Sequence, residues 1–148
     1  MMEAIFVTKR LEVLLPAIRE FVATELIPLE KEHTTRPFKE TEKLLAQKRE
    51  LVKQKGWWNL HLPIHEGGIG LTLCEFGQVS EILSLSPYYG QYTFNAQPPD
   101  IGNTEMIARF ASDEIKEKYL QPLLEGKIRS CFSMTEPEYA GSNPTRLA

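Results

Sequence analysis

A chain of 148 residues with 42% apolar content is one globular domain by default, long enough to bury roughly 70% of its unfolded surface without disulfide staples. Its 17 basic and 20 acidic residues, net charge −3, are interleaved, which excludes the basic footprint of a nucleic-acid binder. The opening MMEAIFVTKR is too short in apolar residues for a signal peptide or a membrane span.

Two cysteines, Cys74 and Cys131, have no metal-ligand spacing and no secretory segment beside them. Buried free thiols in a reducing, cytoplasmic setting are the expectation.

After Met1 to Thr8, which should fray, Leu11, Leu14, Leu15, Ile18, Phe21, Val22 and Leu26 repeat every three or four residues and predict an amphipathic helix over about Lys9 to His33. Pro28 should kink or end its hydrogen bonding near Thr24, and Pro16 suggests a helix that starts later than the periodicity does. A connector over His33 to Pro37 leads to a second helix, Phe38 to Lys55, with Leu44, Leu45, Leu51 and Val52 on its apolar stripe and Gly56 as its stop. Trp57 and Trp58 open an extended piece reaching Leu62. They read as a plug between helices in preference to a binding platform.

HEGGIG, from His65 to Gly70, lacks the lysine and hydroxyl of a P-loop and the strand that precedes a dinucleotide fingerprint, so it reads as a shaped loop. His61 and His65 are four apart, but Pro63 between them denies a shared helical face. Exposed or capping histidines are expected there, and no metal pair. A third helix opens at Leu71 or Thr72 and runs to about Leu85. PYYGQYTFNAQPPD then reads as a connector or broken helix. A fourth helix covers Ile101 to Ala111, and a fifth, capped by Ser112, should be broken by Pro122 and closed by Gly126.

From Ile128 the pattern changes. Ser130, Phe132 and Met134 alternate with Cys131, Ser133 and Thr135, the period of a strand. Pro137, Gly141, Ser142, Asn143 and Pro144 make the next stretch a loop. By itself this is an ordinary strand and turn. Equally, the Thr135 hydroxyl, free backbone donors and the small pair Ala140 and Gly141 could admit a flat heterocycle or a phosphate. A lone strand has no partner in this sequence, and its backbone groups want a sheet.

MTEPEYAGSNPT, with PLLEGKIRSCFS before it, GNTEMIARFASDEIKEKYL upstream and the glycine loop PIHEGGIGL, resembles the acyl-CoA dehydrogenases from about Leu11 onward. One departure is the run Glu138, Tyr139, Ala140 between Pro137 and Gly141, one residue more than the commonest form, which resembles the longer-loop subgroup. The resemblance implies a mainly α fold of about five helices ending in one unpaired β-strand. It implies a helical amino-terminal domain over residues 1–127 and the start of a truncated flavin-binding β-domain over 128–148.

It also implies FAD as cofactor and 2,3-dehydrogenation of an acyl-CoA thioester, with Phe132, Met134 and Thr135 along the flavin ring. The Met134 main chain and the Thr135 hydroxyl would donate to the ring. Gly141 and Ser142 would lie near the cofactor, and Ser142 near the CoA end of the substrate. Tyr88, Tyr89, Tyr92 and Phe94 fall where the family's acyl chamber is bordered, although packing between helices is the expected role of any one of them. No residue matches the family's catalytic base: Glu136 and Glu138 sit on the flavin loop itself, on the wrong side of the substrate. The chain alone is therefore expected to be inactive.

The full-length form is expected to be a homo-oligomer, cytoplasmic, or mitochondrial or peroxisomal in a eukaryote. The alternative function is a non-catalytic helical interaction module derived from such an enzyme, and a weaker one is an acyl-CoA or flavin carrier.

Overall fold

The computed structural model describes residues 7–31, 35–137, 143 and 145. Helix α1 (Lys9–Phe21) runs through a π-helical turn, Val22–Leu26, into α2 (Ile27–Glu30), and α3 (Phe38–Gln54) follows. A short 3-10 turn at Ile64–Glu66 precedes α4 (Leu73–Leu83), α5 (Gly90–Thr93) and α6 (Asp100–Phe110). Helix α7 (Asp113–Ile115) then passes through a second π-helical turn, Lys116–Leu120, into α8 (Gln121–Leu124). The described residues are thus mainly helical, and no helix among them is long and apolar enough to cross a membrane.

Both π turns have the same cause. A proline cannot donate to the carbonyl four residues back and its ring pushes that carbonyl away. For Pro28 that carbonyl is Thr24's, and for Pro122 it is Lys118's, each inside its widened turn. Disruption near Thr24 is what the sequence predicts. At Pro122 the outcome differs from the expected break: the extra residue in the turn absorbs the ring and helical geometry continues to Leu124. Pro16 also departs from expectation, lying inside α1, which already begins at Lys9. Pro16 and Glu12, whose carbonyl loses its partner, are both exposed, so water can take up the bond.

The core forms where α1 packs on α4. Leu11, Ile18, Phe21, Val22 and Leu26 meet Val79, Ile82 and Leu83, with Val52, Leu60 and Phe94 closing the cluster. Trp57 is the expected plug: its ring stacks on Phe94 at 6.3 Å and meets Phe21 edge-on at 6.0 Å. Each such large side chain contributes about 1.5–3 kcal/mol on burial.

Polar groups complete the same junction. Thr72 and Glu75 form a capping box at the start of α4. The buried Glu75 carboxylate also accepts from the Thr8 hydroxyl at 2.6 Å and from Arg10 Nε at 2.8 Å, and pairs with Arg10 Nη2. These bonds, Arg10's first, then those from Thr8 and the Thr72 N–H, hold Glu75 well below the usual carboxylate range. Arg10 reaches on to the Gly70 carbonyl at 2.9 Å, which ties α1 to the glycine loop. In that loop Gly68 has no room for a side chain, since a Cβ would lie 2.1 Å from the Leu62 carbonyl oxygen.

Three expectations are corrected. Cys74 and Cys131 are exposed, not buried, because Cys74 faces outward beside Leu73 while Glu75 and Val79 turn inward, and Cys131 lies on a segment beyond the core. His61 is neither exposed nor a cap: both ring nitrogens are buried without a partner among the described residues, and the ring lies 5.7 Å from that of Phe76. His65 is exposed, as expected.

Candidate functional site

The period-two stretch emerges where α6 and α8 meet. Residues 129–135 form no ladder, and the first bridging residue is Glu136. Strand character was legible in the alternation, but a strand is completed by its neighbours, and no neighbour is present among the described residues.

Two sets of bonds fix the point of departure. One serves the end of α8, whose last carbonyls have no helical partners. The Leu124 carbonyl accepts from Trp58 Nε1 at 2.7 Å and Asn59 Nδ2 at 2.9 Å, and the Leu123 carbonyl accepts from Asn95 Nδ2 at 3.1 Å. Asn59 and Asn95 both sit at positive φ, 53° and 55°, a region asparagine tolerates better than most residues. Arg49 Nη2 donates to the Gly126 carbonyl at 3.2 Å and Nη1 to the Tyr92 carbonyl at 2.6 Å.

The second set is centred on Asp100, the first residue of α6. One carboxylate oxygen accepts from both the N–H and the hydroxyl of Ser130, each at 2.6 Å. The other accepts from Gln97 Nε2 at 2.5 Å and lies 3.5 Å from Arg129 Nε. Asn103, one turn along, donates to Ser130 Oγ at 2.8 Å.

Beyond Ser130 the chain is open. Phe132, Met134 and Thr135 are exposed, Phe132 at 62% and Met134 at 44%. Among the described residues no hydrogen bond engages the main chain of 131–135 or the Thr135 hydroxyl. The donors assigned to a flavin ring therefore stand accessible, on a surface flanked by two apolar side chains, a donor set that fits the edge of a flat, carbonyl-rich heterocycle. Gly141 and Ser142 lie outside the described residues.

The aromatic residues near the expected acyl chamber divide. Tyr89 and Phe94 are fully buried core side chains, and Tyr88 is exposed. Tyr92 is half-buried, with Phe38 edge-on at 5.8 Å and the guanidinium carbons of Arg49 and Arg129 at 4.5 and 5.3 Å from its ring centroid. A separate cavity of about 810 Å³ opens between the glycine loop, α6 and α8, floored by Leu62, Ala108, Leu120 and Leu124 with Trp58 in its wall. None of the four tyrosine-region aromatics lines it. Among the described residues no group of three or more His, Cys, Asp or Glu is placed to hold a metal ion.

Arg49 and Asp100 were not singled out in the sequence. Arg49 carried a signal: it falls four residues after Leu45 and three before Val52, on the stripe that α3 buries. It is 8% exposed, and burial pulls its pKa below the ordinary arginine value. Its guanidinium lies 4.7 Å from the Trp58 ring centroid, so aromatic faces replace part of the water it has lost. Asp100 carried no pattern signal, because apart from Gln97 its partners, Arg129 and Ser130, lie far along the chain.

Comparison with known proteins agrees with the resemblance. The family described as "Acyl-CoA dehydrogenase, N-terminal domain" matches residues 8–127. Acyl-CoA dehydrogenase family member 10 of Mus musculus is 36% identical over 152 residues, covering 92% of this chain and 14% of the mouse protein. Family member 11 of Homo sapiens is 32% identical over 149 residues, covering 95% of this chain and 18% of its own length. A solved structure from Mycobacterium abscessus, assigned as an acyl-CoA dehydrogenase, superimposes with a TM-score of 0.82 at 36% identity, covering 95% of this chain and 38% of that one. The chain thus spans well under half the length of these relatives.

Proposed function

The chain belongs to the acyl-CoA dehydrogenase family, and from that premise we propose that it supplies the helical amino-terminal domain, over residues 1–127, and the opening of the flavin-binding β-domain, over 128–148, of an FAD-dependent enzyme that forms 2,3-enoyl thioesters from acyl-CoA. The observation that carries this reading is the open segment 131–135, held at its base and unengaged along its length.

Phe132 and Met134 would lie against the flavin ring. The Met134 main chain and the Thr135 hydroxyl would donate to it, stabilising negative charge where it develops. Gly141 and Ser142 remain assigned to the cofactor and the CoA end of the substrate. Bound FAD supplies the hydride acceptor.

A base at the carbon next to the thioester must come from elsewhere. Asp100 is saturated by its donors, and Glu136 sits on the flavin-bearing segment itself. A positioned base contributes a factor of about 10² to 10⁴ in rate, and the relatives devote most of their length to regions this chain does not span. The 148-residue chain alone is therefore not competent.

Anaerobic titration of FAD with short, medium and long acyl-CoA tests this, run with the chain alone and with the remaining regions of a relative supplied separately. No bleaching alone and bleaching in the mixture is the expected result. Bleaching by the chain alone would show that its own residues include the base. No bleaching in either arm would instead favour the non-catalytic interaction module, to which the exposed Met106 and Phe110 on α6 would lend a contact surface.

A further inference from the structure

Segment 131–135 has no hydrogen bonds of its own among the described residues, so its course is set by its last fixed point. That point is Ser130. Its N–H and hydroxyl both go to the Asp100 carboxylate, and its hydroxyl oxygen also accepts from Asn103. Asp100 is 3% exposed, and a carboxylate withdrawn from water is costly unless donors surround it. Of its three hydrogen-bond donors, two belong to Ser130, and Arg129, whose guanidinium pairs with it at 3.5 Å, is the residue before.

Arg129 braces the junction from the other side. Its guanidinium and that of Arg49 both lie against the Tyr92 ring, and Arg49 also lies against Trp58. This aromatic and guanidinium ladder joins the departing chain to α3, while Asp100 joins it to α6.

We propose that Asp100 is a positioning residue for the flavin-bearing segment, with the Arg129–Tyr92–Arg49 ladder as its brace. Leverage makes the role consequential. An extended chain advances about 3.3 Å per residue, so a swing of about 10° at Ser130 would carry Thr135 by about 3 Å. A displacement of about 1 Å can already cost about 10²-fold in a reaction that depends on orientation. The functional meaning rests on the assignment of Phe132, Met134 and Thr135 to the flavin. The geometric claim does not.

The two cysteines give a direct readout of the geometry. Cys74 on α4 and Cys131, one residue beyond Ser130, are both exposed, so spin labels on the native thiols report the distance distribution between the helical body and the start of the segment. The wild-type chain is expected to give one narrow distribution. Asp100→Ala should broaden it at least twofold, and Asp100→Asn, which keeps an acceptor for the Ser130 N–H, should restore most of the narrowness.

If Asp100→Ala does not fold, Arg129→Met, at a half-exposed position, should still broaden the distribution. An unchanged distribution in folded Asp100→Ala or Arg129→Met, or a wild-type distribution already as broad as the variants', would overturn the proposal. No flavin enters this measurement, so a failed flavin titration leaves it intact and the two readings fail separately.

Discussion

The surroundings of His61 alter its chemistry in a range of pH that is easily reached. Burial alone pushes its pKa from 6.5 down to about 4, and neither ring nitrogen has a partner among the described residues. The unfolded chain therefore holds more protons than the folded one between these values. Stability is full above about pH 6.5, falls as the pH drops through 5, and the loss levels off below about 4, reaching roughly 3 kcal/mol. Urea unfolding of wild type and His61→Phe across pH 4.5 to 7.5 should show this slope in the first protein and its loss in the second. Glu75 acts in the same direction, but its contribution is present above its ordinary pKa and is lost only as the pH falls through its depressed value. The two effects therefore separate on the pH axis.

At the open segment, Thr135→Val keeps the shape and removes the hydroxyl. In a reconstituted enzyme it should cost about 1–3 kcal/mol of flavin affinity or of reduced-flavin stabilisation, read from the dissociation constant and the midpoint potential. The residue types of this segment could be read from the sequence. The environments of His61, Arg49 and Asp100 could not, because each depends on groups brought up from another part of the chain. Only Arg49, on the buried stripe of α3, left a trace in the pattern.

Among the elements, the ends carry the information. Pro28 and Pro122 look alike in sequence and act alike in structure, each preceded by a π turn that accommodates the displaced carbonyl. Periodicity located the helices because burial imposes it, yet it could not tell a broken helix from a widened one, since α2 and α8 end two residues after their prolines and leave too short a stretch to register a change of phase. The stop after α8 is more exacting. Gly126 has φ +69°, and a Cβ there would fall 2.1 Å from Arg49 Nη2 and 2.7 Å from the Trp58 ring. Gly126→Ala should therefore cost more than the roughly 1 kcal/mol usual for alanine at a left-handed position. In an Arg49→Met background the excess should shrink, a coupling of about 0.5–3 kcal/mol measurable by a double-mutant cycle in urea.

On the scale of the whole molecule, the helical body is in two parts held by different forces. The principal buried cluster runs from Leu11 to Ala96 and takes nothing from α6, α7 or α8, and Leu123 is the buried hydrophobic residue that these helices supply among the described residues. What holds α8 and the turn after it is a set of side chains reaching their carbonyls across 28 to 77 residues of sequence, from Arg49, Trp58, Asn59 and Asn95. Such a unit can detach without exposing much apolar surface. Native-state hydrogen exchange should then show two classes of amide. Those of α1 and α4 should exchange through global unfolding, with free energies that fall steeply as denaturant is added. Those of α6 and α8 should exchange through a smaller opening whose free energy is nearly independent of denaturant, because that slope follows the area exposed. The carbonyl clamp thereby makes the part of the chain from α6 onward a separate cooperative unit, free to undock and redock while the rest of the protein stays folded.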